Sequence, residues 1–375
     1  MNVDKHPDAD TPPVVVVGAG QSGLAAADAL RQLDQPALIL EAGDRPAGSW
    51  PRYYESLRLF SPAGFSAIPG MPFGGDPDRY PARDEVADYL ENYAATLDLE
   101  IRTRTTVRTI HRDDDGFVVV TADDQELPAS GIVAASGSFS NPHRPSLAGE
   151  HTFTGELSHV ADYSNPDRYT GRRVVVVGAG DSAAQVANEL AGVATVTMAT
   201  RHPLRFIPQR IGEHDVHYWL RETGFDTLPA EWLEQITGGS VITDSVGLQD
   251  SLAHGLLDVR PMFTALDGDQ VIWSGGEHEA VDAIILATGY HPSLGYLHDL
   301  GALDDHGAPR HAGGISTTHL GLVYLGLEFQ RSFASNTLRG VSADATAVIA
   351  PLVAWIRDAP HTVGLTDPTT LTFVN

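Results

Sequence analysis

The 375-residue sequence contains no cysteine. That excludes disulfides, thiolate metal sites, cysteine nucleophiles and a redox-active dithiol. Lysine is nearly as scarce: Lys5 is the only one, so the remaining basic residues are arginines and a Schiff-base or lysine-base mechanism is disfavoured. No apolar run reaches the roughly 18 residues that a membrane span requires. The first eleven residues are polar and acidic and lack the apolar core of a signal peptide, so a cytoplasmic protein with a frayed start is expected. Positive charge is also in deficit. The formal net charge of -25 would repel nucleic acid and anionic membrane, and anionic cofactors must therefore be held by local donors.

What is present is a repeated device. Val14 to Gly20 reads VVVVGAG, and Val174 to Gly180 reads VVVVGAG again. Four β-branched residues in a row mark a central parallel strand covered on both faces. The first copy continues as Gly18-Ala19-Gly20-Gln21-Ser22-Gly23 and then an Ala/Leu-rich helix over Leu24 to Leu33. A GxGxxG placed between strand and helix lets backbone approach a pyrophosphate at a helix N-terminus. A second strand, Ala37 to Leu40, ends in Glu41, an acid placed to accept hydrogen bonds from ribose hydroxyls. In the second copy the corner is Gly178-Ala179-Gly180-Asp181-Ser182-Ala183, and the next strand, Thr195 to Ala199, ends in Thr200-Arg201 with Arg205 close behind. Arginine without a carboxylate at the strand tip favours a 2′-phosphate, hence NADPH over NADH. The strands Ile132 to Ala135 and Ala283 to Ala287 stop at Ser136-Gly137 and Thr288-Gly289-Tyr290, small-residue stops that allow close approach to a cofactor.

Between these landmarks lie less regular stretches. Ala47-Gly48-Ser49-Trp50 opens a loop-rich segment to about Tyr80, either a packed surface insertion or a cofactor contact. Arg83 to Leu97 is an amphipathic helix whose Val86, Leu90, Tyr93 and Leu97 belong to a core. Asp113-Asp114-Asp115-Gly116 reads as a hairpin turn between two strands rather than a metal site. An insertion over residues 206–261 carries His214, His217, Trp219 and Trp232. Two histidines without a third ligand do not make a metal site, so no metal is expected, and the insertion reads as a lid or a subunit contact compatible with a homo-oligomer. Leu322 to Leu327 is expected as a strand, and Gly340 to about Ile356 as a helix.

Directly before the second corner stand Phe153, Gly155, His159 and Tyr163 in the pattern F-x-G-x-x-x-H-x-x-x-Y. With the two corners and Ala287-Thr288-Gly289-Tyr290, this ordered set resembles the class B flavin-containing monooxygenases over roughly residues 14–356. Leu57-Arg58-Leu59-Phe60-Ser61-Pro62, Tyr80-Pro81 and Tyr89-Leu90 are similar to the plant YUCCA enzymes and to the short bacterial branch associated with arsenic-resistance operons. The stretch from Gly326 to Ser332 resembles the bacterial branch.

The resemblance implies an α/β fold of two Rossmann-like dinucleotide-binding domains, for FAD and NADPH, the second inserted in the first. Residues 1–150 and 288–375 would form the FAD domain and 151–287 the NADPH domain. FAD would lie on Gly18, Gly20, Gln21, Ser22, Gly23, Glu41, Ala42, Gly48, Ser49, Trp50, Ser136 and Gly137, with Leu338, Arg339, Gly340 and Val341 at its ring end. NADPH would lie on Gly178, Gly180, Asp181, Ser182, Ala183, Thr200, Arg201, Arg205, Thr288 and Gly289. Candidate substrate-pocket residues are Trp50, Arg58, Gln330, Arg331 and Asn336. The implied reaction uses molecular oxygen and a C4a-hydroperoxyflavin to oxygenate a small molecule at sulfur, nitrogen or a metalloid. His159 is expected in an interdomain linker and not as an acid or base. Two departures stand out: Tyr163 replaces the tryptophan of Baeyer–Villiger enzymes, and no asparagine is found around Ser61-Pro62. An NADPH oxidase or electron-transfer reductase, or a flavin-binding sensor with little turnover, are the alternative readings.

Overall fold

The computed structural model describes residues 11–114, 116–236 and 241–358, with side chains left out at 234–236. The expected polar start up to residue 10, with Lys5, and Asp115 of the acidic turn lie outside the described residues.

Both Val runs form the strands their composition dictates. Val14–Val17 is sandwiched between Ala37–Leu40 and Gly131–Ala134, parallel to both, and Val174 to Val177 lie in the strand Arg173–Val177, parallel to Thr195–Thr200 and Ala283–Leu286. In each run the first three valines are fully inaccessible and the fourth is 6% exposed. The same four residues meet the same environment twice. Burying each such side chain stabilises by roughly 1.5–3 kcal/mol.

The first sheet has seven strands in the order His311–Ala312, Ile315–Ser316, Leu322–Tyr324, Gly131–Ala134, Val14–Val17, Ala37–Leu40, Glu100–Arg102. The strands after residue 310 therefore return to a sheet begun at residue 14. The second sheet has five, in the order Asp258–Pro261, Thr195–Thr200, Arg173–Val177, Ala283–Leu286, Glu156–His159. Two small antiparallel sheets flank them, Val107–Asp113 with Gly116–Thr121 and Glu126–Ala129, and Ala265–Asp267 with Gln270–Ile272 and His278–Ala280.

The helix Gln21–Gln32 follows the first corner, and Asp181–Leu190 follows the second. The helix Val341–Asp358 packs beside the first of these, its Val341, Ala345, Val348, Ile349 and Leu352 sharing one core with Leu24, Ala25 and Leu30. The amphipathic helix is observed at Arg83–Thr96, and the core receives Val86, Leu90, Tyr93 and Leu97.

Three differences from the sequence reading have physical causes. The stretch read as a linker contributes the strand Glu156–His159, an edge strand whose polar composition gave no strand signal. The expected strand over residues 322–327 ends at Tyr324, because the chain turns at Gly326 (φ +87°) to pass Ser22, where a Cβ would stand 2.1 Å from Oγ. The insertion ends sooner than expected, since Asp258–Pro261 pairs with Thr195–Thr200 as a strand of the second sheet.

Gly23 sits where the first helix presses hardest on its strand: a Cβ there would lie 1.8 Å from the Gly18 carbonyl oxygen. Gly23→Ala is expected to destabilise the protein by about 3 kcal/mol, at the upper end of overpacking costs, as read by urea denaturation of the cofactor-free chain.

Candidate dinucleotide and oxidation site

A cavity of about 340 Å³ opens at the carboxyl ends of the first sheet. Its floor is the glycine corner. Gly18 takes φ +102°, and a Cβ on it would meet the Ala135 carbonyl oxygen at 2.7 Å; Gly48 (φ +57°) rests on Gly20, where a Cβ would stand 2.8 Å from Cα. Backbone thus reaches the cavity with no side chain in the way, and the N-terminus of the helix Gln21–Gln32 supplies positive dipole. Glu41 is buried, its Oε2 accepting from Ala19 N at 2.7 Å and its Oε1 from Gly43 N at 2.7 Å. Each carboxylate oxygen retains a second lone pair, so Glu41 is rigidly aimed and can still accept from hydroxyls.

Of the residues expected around FAD, the cavity is lined by Gly18, Gly20, Gln21, Ser22, Glu41, Ala42, Gly48, Ser49, Trp50, Ser136 and Gly137. Gly23 lies behind them as the packing contact described above. Leu338 and Val341 turn into the core, Gly340 is closed by Ala334, and Arg339 is engaged with Asp226. Asn336, two residues earlier, lines the cavity instead. Among the other pocket candidates, Trp50 lines the cavity, its Nε1 donating to Gln21 Oε1 at 2.8 Å. Arg58 is exposed and donates to Tyr80 O, Gln330 points inward to Tyr324 O, and Arg331 faces Asp344. These three are not brought to the cavity. Sequence reasoning missed Arg52, Tyr53, Thr105, Ser138, Phe139, Ser293 and Tyr296, which line it from loops and short 3-10 turns.

The second corner repeats the first. Gly178 (φ +150°) faces the Ala287 carbonyl oxygen at 2.4 Å from a would-be Cβ, while Gly180 faces open space. Ser182 and Ala183 begin the helix, and Thr200 is buried at its strand end with its carbonyl accepting from Met262 N. Arg201 is exposed and has no ion pair among the described residues; the Arg205 carbonyl accepts from Ile242 N. Thr288 Oγ1 donates to His143 O at 2.5 Å, and Gly289 O accepts from His143 N and from His159 Nε2 at 3.1 Å. Because His159 Nδ1 also accepts from Ala161 N, the ring is the neutral Nε2–H tautomer. Burial and the nearby Arg144 hold its pKa below the ordinary imidazole value.

The two sites are neighbours. Tyr53 lines the first cavity; the next residue, Tyr54, donates to Gln185 Oε1 on the helix of the second corner at 3.0 Å. Aromatic rings bridge the same gap, with centroids at 5.4 Å for Trp50 and Tyr53, 4.8 Å for Tyr53 and Phe139, and 4.7 Å for Phe139 and Tyr290.

His214 and His217 of the insertion are separated by role. His217 is buried, with Nδ1 at 2.7 Å from Asp215 Oδ1, whereas His214 stacks on Tyr218. Burial opposes ionisation of Asp215, yet hydrogen bonds from His217, Tyr80 and Gln209 hold its pKa at about 2. Among the described residues no cluster of three or more metal-ligating side chains occurs.

The comparisons with known proteins agree with this geometry. The family model of pyridine nucleotide-disulphide oxidoreductases matches residues 15–235. The chain belongs to that family, and within it to the class B flavin monooxygenases, flavin-dependent oxidoreductases that use FAD and NADPH. It is 32% identical over 338 residues to an uncharacterized CzcO-like oxidoreductase of Geobacillus kaustophilus, covering 90% of this chain and 97% of the relative. It is 31% identical to the indole-3-pyruvate monooxygenase YUCCA1 of Oryza sativa subsp. japonica, over 78% of this chain and 80% of that protein. The solved flavin-containing monooxygenase of Stenotrophomonas maltophilia superimposes with a TM-score of 0.82 at 30% identity, covering 92% of this chain and 99% of that one. Among the described residues no helix is long and apolar enough to cross a membrane.

Asp181 is the one acid at a glycine corner. It is partly buried and accepts from Thr243 N at 3.0 Å and Thr243 Oγ1 at 3.2 Å. Burial pushes its pKa up to about 6 against the pull of those two bonds, and Asp244 adds repulsion. A raised folded pKa means that the folded state holds the extra proton between about pH 4 and pH 6, so stability falls as pH rises through that window and then levels. Asp181→Asn, which keeps the accepting oxygen, is expected to flatten this dependence and to stabilise the protein above pH 6 by up to about 3 kcal/mol, measured by urea denaturation at pH 5 and pH 7.5.

Proposed function

We propose that the protein is an NADPH-dependent monooxygenase that transfers one oxygen atom of O2 to a sulfur, nitrogen or metalloid atom of a small molecule. The second oxygen leaves as water, and NADPH supplies the two electrons. The observation that carries this reading is the junction at Tyr53 and Tyr54, where adjacent residues serve one dinucleotide corner each. In this reading residues 1–150 and 288–375 form the FAD domain and residues 151–287 the NADPH domain.

Bound flavin supplies hydride acceptance and oxygen activation; the chain supplies position and exclusion of water. Glu41 would hold the adenosine ribose of FAD, and the amides at Gly20 and Gln21 its pyrophosphate. Trp50 and Tyr53 would wall the far end of the cavity. Gly180, Ser182 and Ala183 would receive the pyrophosphate of NADPH, with Arg201 on its 2′-phosphate. His159 keeps the backbone of Gly289 in place and moves no proton.

What the chain lacks narrows the substrate chemistry. Without cysteine there is no dithiol for disulfide reduction, and with Tyr163 in place of tryptophan ketone insertion is disfavoured. One observation favours a second reading, an NADPH oxidase: Ser61 is buried with its hydroxyl on Ser66 at 2.8 Å and does not line the cavity. Reaction of the purified protein with NADPH, 18O2 and a panel of thioethers, amines, trivalent arsenicals and cyclic ketones separates the two. Label in a heteroatom oxide is the expected result; hydrogen peroxide equal to NADPH consumed, with every substrate unlabelled, would establish the oxidase.

Cofactor choice gives a separate measurement. Arg201→Gln is expected to raise KM for NADPH roughly ten- to hundredfold, the loss of a charge-assisted contact of about 1.5–3 kcal/mol, and to leave KM for NADH nearly unchanged. Equal effects on both would place the 2′-phosphate elsewhere.

A further inference from the structure

Among the contacts that join the insertion to the cavity wall, the charged one is made by Asp226. Asp226 is 8% exposed and touches both ends of a single tight turn: its backbone oxygen accepts from Ala334 N at 3.2 Å, and its carboxylate accepts from Arg339 Nε at 2.9 Å and Nη2 at 2.8 Å. The turn between them is closed by Thr337, whose N and Oγ1 both donate to Ala334 O. Arg339 Nη1 is buried without a partner among the described residues, so the guanidinium is held from one side and depends on Asp226 for its position.

What the turn carries is Asn336. Its carbonyl accepts from Gln21 Nε2 at 3.3 Å, and Gln21 Oε1 accepts from Trp50 Nε1 at 2.8 Å. All three residues line the cavity. A continuous chain of contacts therefore runs from the insertion through Arg339 and Asn336 to the indole in the cavity wall. Apolar contacts back it: the Phe225 and Phe333 rings meet edge to face at 5.0 Å, and Pro229 bridges Ser332.

We propose that Asp226 is a positioning residue of the oxidation site, which by clasping the Ala334–Arg339 turn sets the Asn336 carbonyl and, through Gln21, the Trp50 indole at the end of the cavity. The inference rests on the monooxygenase reading for its effect on catalysis but not for the coupling itself. The insertion is then part of the site, and not only a lid or a subunit contact. Misplacing Trp50 leaves the pyrophosphate and 2′-phosphate contacts of NADPH at the second corner untouched and loosens the wall that keeps water from the reacting end.

The test compares wild type with Asp226→Asn, which keeps the shape and removes the charge, as purified holoenzymes. Hydrogen–deuterium exchange is expected to accelerate in peptides covering residues 329–340 and, at the far end of the chain of contacts, residues 47–53, with the helix Arg83–Thr96 unchanged as control. The visible circular dichroism of the bound flavin should change with it. Oxygenated product per NADPH should fall by about tenfold or more, the scale of a displaced positioning group, while KM for NADPH stays constant. Arg339→Gln should give the same pattern, and the double variant should be no worse than either single one, because the two residues act as one pair.

Should Asp226→Asn not fold, Asp226→Glu keeps the charge, displaces it by one methylene and carries the same readouts. Faster exchange confined to residues 329–340, with the flavin spectrum and product ratio unchanged, would show a local staple and overturn the proposal. If wild type itself makes no oxygenated product, the function proposed above fails alone; exchange and flavin dichroism still decide whether Asp226 reaches Trp50.

Discussion

Everything in this molecule depends on two places where a strand passes toward a helix through a glycine, Gly18 and Gly178, that has no space for a side chain. At the first corner a Cβ on Gly23 would lie 1.8 Å from the Gly18 carbonyl; at the second, Ala183 occupies the equivalent position and its Cβ stands 3.1 Å from where one on Gly178 would be. One methyl group separates GxGxxG from GxGxxA, and the helix approaches its strand correspondingly closer in the first. Each corner is also closed from the side by the end of a neighbouring strand, Ala135 against Gly18 and Ala287 against Gly178. That is why a small-residue stop follows each of those strands: Ser136-Gly137 and Thr288-Gly289 leave the sheet beside the corner they close.

A chain of net charge -25 must hold anionic dinucleotides with few cations. It does so by keeping its carboxylates occupied. Glu41 accepts from two backbone amides, whose dipoles offset part of its charge. Asp181 is tied to Thr243, and burial raises its pKa to about 6. Asp215 stays ionised, but its charge is absorbed by Tyr80, His217 and Gln209. Asp226 is neutralised by Arg339 at 2.8 Å. Local pairing allows backbone amides and helix N-termini to attract phosphate in a protein whose distant field repels it.

How much of this was legible in the sequence follows from how local each feature is. The Val runs, glycine corners and alternating helices were legible, since composition and spacing determine them within about ten residues. The strand Glu156–His159 was not, because an edge strand of polar residues is specified by its partner, Ala283–Leu286, more than 100 residues away. The cavity divides the same way. Gly18 to Ser22, Glu41 and Gly48 to Trp50 could be read from motifs, whereas Thr105, Ser293 and Tyr296 reach it from loops and a short 3-10 turn whose course only the packed sheets define. Gln330 and Arg331 flank the expected flavin segment in sequence, but the turn around Phe329, a non-glycine residue at φ +51°, rotates them toward Tyr324 and Asp344.

The F-x-G-x-x-x-H-x-x-x-Y signature then takes on a mechanical meaning. Phe153 covers Gly155, where a Cβ would lie 2.5 Å from the ring, so only glycine lets the strand Glu156–His159 start beneath it. At the strand's other end His159 donates to Gly289 O and fixes the stop that follows Ala283–Leu286. Four residues further on, Tyr163 is buried and donates to Glu189 Oε2 at 2.7 Å, near the carboxyl end of the helix that the second corner begins. The signature thus grips the second dinucleotide fold by the stop beside its glycine corner and by the far end of its helix. A histidine that accepts from Ala161 N through one nitrogen while donating through the other cannot also exchange protons with a substrate. Its hydrogen bonds hold the Gly289 backbone where it leaves the second sheet.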